Sequence, residues 1–159
     1  MFNMSRFFKI GLFMLSISLM STTCSSDDDG PSNSNAAIIS AIESAAEGSG
    51  WTITLFFDTD SDETSDFNGY EFSFNTDGNL VATNGTNSIT GNWSVTDDSN
   101  SNDDSSDDDD IDFNINFTSP ADFNELSDDW DVVSYTSTKI ELRDVSGGNG
   151  GTDLLTFER

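Results

Sequence analysis

Carboxylates are the chemistry this chain offers in quantity: 30 Asp and Glu against 5 Lys and Arg, with one cysteine and no histidine in 159 residues. Asp58, Asp60 and Asp62 have the D-x-D-x-D spacing that opens a calcium loop, because alternate side chains can turn oxygens toward one ion. Glu63 stands where such a loop needs glycine, and Gly69 where it needs a bidentate glutamate. An EF-hand is therefore excluded, a solvated loop is expected, and no metal is assigned. Glu71, Asp112 and Asp131 offer carboxylates for acid–base work of the glycosidase kind, but each falls on the polar side of an alternating segment. No pair separates itself from the acidic background. The absence of histidine removes Ser-His-Asp triads, Cys-His pairs and His-ligated zinc. The expectation is a protein that is not an enzyme and needs no cofactor.

The elements that carry these residues are short. Residues 36–47 read as a helix, with Ile38, Ile39, Ile42, Ala45 and Ala46 on one stripe. Ser34 or Asn35 is the expected cap at its start and Gly48 the expected stop. Glu43 and Glu47 sit at the end where the helix dipole is already negative, with no basic residue in the segment to offset them. Such a helix is marginal alone and is expected to dock on something.

From Trp51 onward the apolar period is two. Trp51, Ile53, Leu55 and Phe57 form one face, then Tyr70, Phe72 and Phe74, with Asp77-Gly78 turning into Leu80-Val81-Ala82. Ile89, Gly91, Trp93 and Val95 follow, then Ile111, Phe113, Ile115 and Phe117. Residues 130–135, 139–143 and 154–158 complete the strands, and Ser119-Pro120 is expected to cap and open a helical turn through Leu126. The fold class is mainly β: a small antiparallel up-and-down barrel or sandwich of about eight strands with a short N-terminal helix. Large residues crowd its inward face, the three tryptophans among them, which predicts a filled interior. The acidic stretch 96–110 offers nothing apolar to bury and reads as a disordered loop, and 146–151 as a glycine-rich hairpin loop.

The first 23 residues read as an address. Arg6 and Lys9 make a basic start, residues 10–20 are an unbroken apolar run too short to span a bilayer, and small polar residues lead to Cys24. The layout resembles a bacterial lipoprotein signal peptide, although Ser21 stands where that family usually has leucine. The resemblance implies cleavage before Cys24 and acylation of its thiol, with chains such as palmitate. Ser25-Ser26-Asp27-Asp28-Asp29-Gly30 resembles the acidic tag that routes lipoproteins to the cell surface in one Gram-negative lineage. The organisation is then 1–23 signal peptide, 24–35 lipidated flexible tether and 36–159 β domain.

The β domain has a resemblance of its own. Ser49-Gly50-Trp51-Thr52-Ile53, Phe72-x-Phe74-x-x-Asp77-Gly78-x-Leu80, Thr90-Gly91-Asn92-Trp93-Ser94-Val95 and Ile140-Glu141-Leu142 look like the lipocalin-like (calycin-type) domain of lipidated envelope proteins. That resemblance implies a small antiparallel barrel and no particular activity.

Charge limits the partners. The chain carries −25, or −27 once Arg6 and Lys9 leave with the leader, so nucleic acid and anionic membrane surfaces are repelled. The expected role is a non-enzymatic lipoprotein on the outer membrane, surface-exposed and held by its N-terminal lipid. A protein partner or a small apolar ligand is the expected binding function, with no ligand-binding residues assigned.

Overall fold

The computed structural model describes residues 32–97, 111–145 and 151–159, with side chains from residue 35. Residues 1–31, on which the expected signal peptide, Cys24 and most of the expected tether fall, and the stretches 98–110 and 146–150 lie outside the described residues.

Alternation along the sequence becomes strands in the expected places. Helix α1 (Ser32–Ala46) leads into β1 (Gly48–Asp58), the two-residue return β2 (Ser61–Asp62), β3 (Glu71–Phe74), β4 (Asn79–Thr83) and β5 (Ser88–Asp97). Then come β6 (Ile111–Asn116), the short helix α2 (Ala121–Asn124), β7 (Asp128–Tyr135), β8 (Lys139–Asp144) and β9 (Asp153–Glu158). Each long strand pairs antiparallel with the next, and β9 returns to β1 through Thr52↔Glu158 and Ile53↔Phe157. Eight strands therefore close into a barrel, with β2 as an appendage on β1. Closure selects the barrel over the sandwich and leaves the long strands no unpaired edge. Among the described residues no helix is long and apolar enough to cross a membrane.

Besides an irregularity between Gly48 and Trp51 at the start of β1, register shifts in β1 and β7 break the alternation of buried and exposed residues. In β1 the shift between Ile53 and Leu55 turns Phe56 into the core and leaves Phe57 and Leu55 half-buried, the reverse of the expected phase. In β7 the shift between Val132 and Ser134 pushes Val133 outward, where it is 57% exposed. Both are bulges, in which one extra residue inverts the faces that follow it.

The interior is aromatic and full. Phe74 meets Trp51, Trp93, Phe113 and Phe157 at ring-centroid distances of 5.2–6.3 Å, all edge-on. Gly91 makes room for this packing on β5. A Cβ there would run into the carbonyl oxygen of Asn116 and stand 2.6 Å from Cδ1 of Phe117.

One end of the barrel is plugged by Phe67, from the 3-10 turn Thr64–Phe67, and by Phe123 of α2, whose rings lie 5.3 Å apart. Phe123 also meets Phe117 at 5.3 Å and Tyr70 at 5.0 Å. The capping expected for α2 does not form. Pro120, in extended conformation, is itself the N-cap and no side chain caps it. The turn is fixed instead by Asn124 Nδ2 and Ser127 Oγ, which donate to the Phe117 carbonyl at 2.7 and 3.0 Å.

Helix α1 covers the other end. Ile42 and Ala46 are buried there and Ile39 packs on the core. The helix starts at Ser32, four residues before the expected start, so Ser34 and Asn35 lie inside it rather than capping it. Asn35 Nδ2 donates to Asp97 Oδ2 at 3.1 Å, and Asp97 with Thr96 belongs to β5 rather than to a disordered loop. Gly48, at φ +113°, takes the chain out of the helix as expected. The missing cation at the helix end comes from the far terminus of the chain. Arg159 donates to the carbonyls of Ala45 and Glu47, each at 3.2 Å.

Candidate functional site

The carboxylates singled out by spacing are not gathered. Asp58 ends β1, Thr59 and Asp60 form the turn, and Asp62 lies in β2 opposite Phe57. Asp62 accepts from the Thr64 amide at 3.1 Å, and hydrogen bonds from Thr64 hold its carboxyl below the usual range. The Thr59 amide and hydroxyl both donate to Asp153 Oδ1. Glu71 lies on β3 opposite Thr83, while Asp112 and Asp131 face each other across β6 and β7. Arg143 Nη2 reaches Asp131 Oδ2 at 3.1 Å, so that row is an outer-face ion-pair ladder. Among the described residues no group of three or more Asp, Glu, Cys or His is arranged to hold a metal ion.

Two acids are shifted upward. Asp128, at the start of β7, is raised to about 6, first by burial and then by its hydrogen bond with Asp129 and the charges of Asp144 and Asp129. Glu125 is raised by burial and by the neighbouring Glu63. Each is a carboxyl set beside other carboxyls.

The tryptophans are structural. Each indole N–H is spent on fastening a connecting segment: Trp51 to the Ala46 carbonyl at 2.7 Å, Trp93 to that of Asn75 at 2.9 Å, Trp130 to that of Leu126 at 3.1 Å. Trp51 and Trp130 are fully buried and Trp93 is 7% exposed. They fill the barrel instead of lining a cup within it.

The apolar surface lies outside. Between α1 and the β6–β7 side of the barrel runs a groove of about 170 Å³, lined by Ile38, Ile42, Ile111, Val132, Val133 and Tyr135. Ile38 is 41% exposed and Val133 57%, two of the large exposed hydrophobics of the domain, and both face this groove. Sequence reasoning missed it. The available signal was the adjacent pair Val132-Val133 within an alternating strand, where one of the two must face solvent or a bulge must intervene. No protein family, curated protein or solved structure matches the chain.

Proposed function

We propose that this is a non-enzymatic cell-envelope lipoprotein that presents a lipocalin-like barrel at the outer membrane surface as an accessory module for another envelope protein. The leader 1–23 is cut off, the Cys24 thiol carries the lipid, and the acidic stretch behind it spaces the domain from the membrane. Two or three acyl chains suffice for stable anchoring without a spanning helix. The observation that carries the accessory role is the contrast between inside and outside. The interior is occupied by aromatic side chains, while the apolar surface left over, at Ile38 and Val133, faces outward. A carrier of a small apolar ligand needs the opposite arrangement, a lined cavity and a closed exterior. The anchor is tested by metabolic palmitate labelling of the wild type and Cys24→Ser. Label is expected in the membrane fraction of the wild type alone; label retained by the variant would contradict it.

A further inference from the structure

We propose that the turn between β4 and β5 is a self-modifying site, in which the Asn84 side chain cyclises onto the backbone nitrogen of Gly85 and is hydrolysed to a carboxylate. The substrate is the chain itself, and water is the co-reactant. This goes beyond the lipid anchor and the accessory role and depends on neither.

The reaction needs an asparagine followed by a residue without a side chain, because a Cβ shields the attacking nitrogen. Three pairs in the sequence have that form: Asn68-Gly69, Asn84-Gly85 and Asn149-Gly150. The last lies outside the described residues, and the other two are exposed on turns of different build. At Asn84 the side-chain oxygen Oδ1 accepts from the Thr86 amide at 3.1 Å and from the Asn87 amide at 2.8 Å. Backbone N–H groups bond only to an acceptor, which fixes the orientation of this side-chain amide. They polarise the Cγ carbonyl and stand where negative charge develops as Cγ is attacked. The leaving nitrogen, Nδ2, has no protein acceptor among the described residues. The Gly85 N–H donates to Thr83 Oγ1 at 3.2 Å, so the proton that must leave the nitrogen already points at an oxygen. Every residue from Asn84 to Ser88 is exposed, and no core packing opposes the rotation that closes the ring.

Asn68 is the contrast within the same molecule. Among the described residues its side chain makes no hydrogen bond, so no N–H group polarises its carbonyl. Its neighbours Phe67 and Tyr70 pack on Phe123 at 5.3 and 5.0 Å, and the Tyr70 amide donates to the Phe67 carbonyl at 3.1 Å. The aromatic plug thus holds that turn at both ends.

The step balances with water alone. The Gly85 nitrogen gives its proton to solvent base and bonds to Cγ, while the carbonyl electron pair moves onto Oδ1. Collapse of that oxyanion breaks the Cγ–Nδ2 bond, and ammonia leaves with a proton from water. Water then adds to one carbonyl of the cyclic imide and opens it, to aspartate at this position or to its β-linked isomer. Aspartate fits the turn, because its oxygens keep the Thr86 and Asn87 amides as charge-assisted bonds. Asp77 already does this in the preceding turn, where it accepts from the Asn79 amide at 3.1 Å.

The test is incubation of the full-length protein, folded and in denaturant, in heavy-oxygen water at neutral and mildly alkaline pH. Pepsin digestion in acid, where cyclisation stops, followed by mass mapping reads each Asn-Gly pair in its own peptide. In the folded protein the amide-to-acid mass gain, with heavy oxygen incorporated, is expected several-fold faster at Asn84 than at Asn68, and faster in alkali. Denaturant should bring the two rates together, because it takes the N–H groups from Oδ1 and the clamp from Asn68. Asn84→Gln keeps a side-chain amide but requires a larger ring, so conversion there should stop with the circular dichroism unchanged. Equal rates at Asn68 and Asn84 in the folded protein would overturn the proposal. So would conversion of Asn84 several-fold slower folded than denatured, acid formed without heavy oxygen, or conversion that continues in Asn84→Gln.

Discussion

The guanidinium of Arg159, the last residue of the chain, lies 4.3 Å from the centroid of the Trp51 ring, near the start of the first strand. Its Nε donates to the Ser137 carbonyl at 2.7 Å while its two terminal nitrogens close the end of α1. One side chain thereby joins the helix, the β7–β8 turn and the seam where β9 meets β1. Its charge also offsets the negative helix end beside Glu43 and Glu47.

Arg159→Ala is accordingly expected to lower stability by about 1–2 kcal/mol, since a cation–π contact and charged hydrogen bonds to three carbonyls are lost together. Arg159→Lys should recover part of it, because one ammonium cannot reach all three carbonyls. Thermal melts of the three proteins check this, and a melting temperature unchanged in the alanine variant would contradict it.

Much of the barrel was legible in the alternation, and the reasons for the misses are local. The strand holding Phe113 and Ile115 keeps its phase through Phe117 just beyond its end, so its faces followed directly from the sequence. In β1 and β7 the phase breaks at bulges, which arise from matching neighbouring strands in a closed sheet and leave no mark in the composition of one strand. The capping of α1 was read from its own segment, whereas the cation that serves it is more than 110 positions away. Ser119 fits a capping pattern, yet the Phe123 and Asn124 amides donate to the Pro120 carbonyl, and the side chains of Asn124 and Ser127 tie the turn to the carbonyl of Phe117. The groove was missed because it exists only once the Val133 bulge and Ile38 come to lie side by side.

Gly91 supplies a second prediction. Ala at this position drives a methyl into the Asn116 carbonyl and the Phe117 ring, and overpacking of this kind costs about 1–3 kcal/mol. Gly91→Ala should lower the denaturation midpoint without changing the slope of the transition. A stability equal to wild type would show that Phe117 moves aside freely.

Asp128 gives the pH dependence its sign. Its carboxyl, at about 6 in the folded protein, holds a proton more tightly there than in the unfolded chain. Stability from this group therefore falls as pH rises from about 4 through about 6 and is level above that. Asp128→Asn keeps an oxygen for the Asp129 amide and removes the ionisation. The variant is expected to be more stable than wild type near neutral pH, by under about 1 kcal/mol because solvent screens this half-exposed group, with the gap closing toward pH ~4. Melting temperatures at the two pH values decide it, and a gap that widens in acid would reverse the sign.

The filling of the barrel by its own side chains is tested most directly by tryptophan emission of the full-length protein during titration with oleate. Trp51, Trp93 and Trp130 sit within the barrel wall and core, so a ligand entering the interior must disturb at least one of them. The packing of Phe74 against Trp51 and Trp93, of Phe113 against Trp93 and of Phe56 against Trp130 predicts no saturable change at micromolar oleate. A saturable shift in emission, lost on polar substitution of Trp93 without unfolding, would contradict a filled barrel and make the protein a ligand carrier.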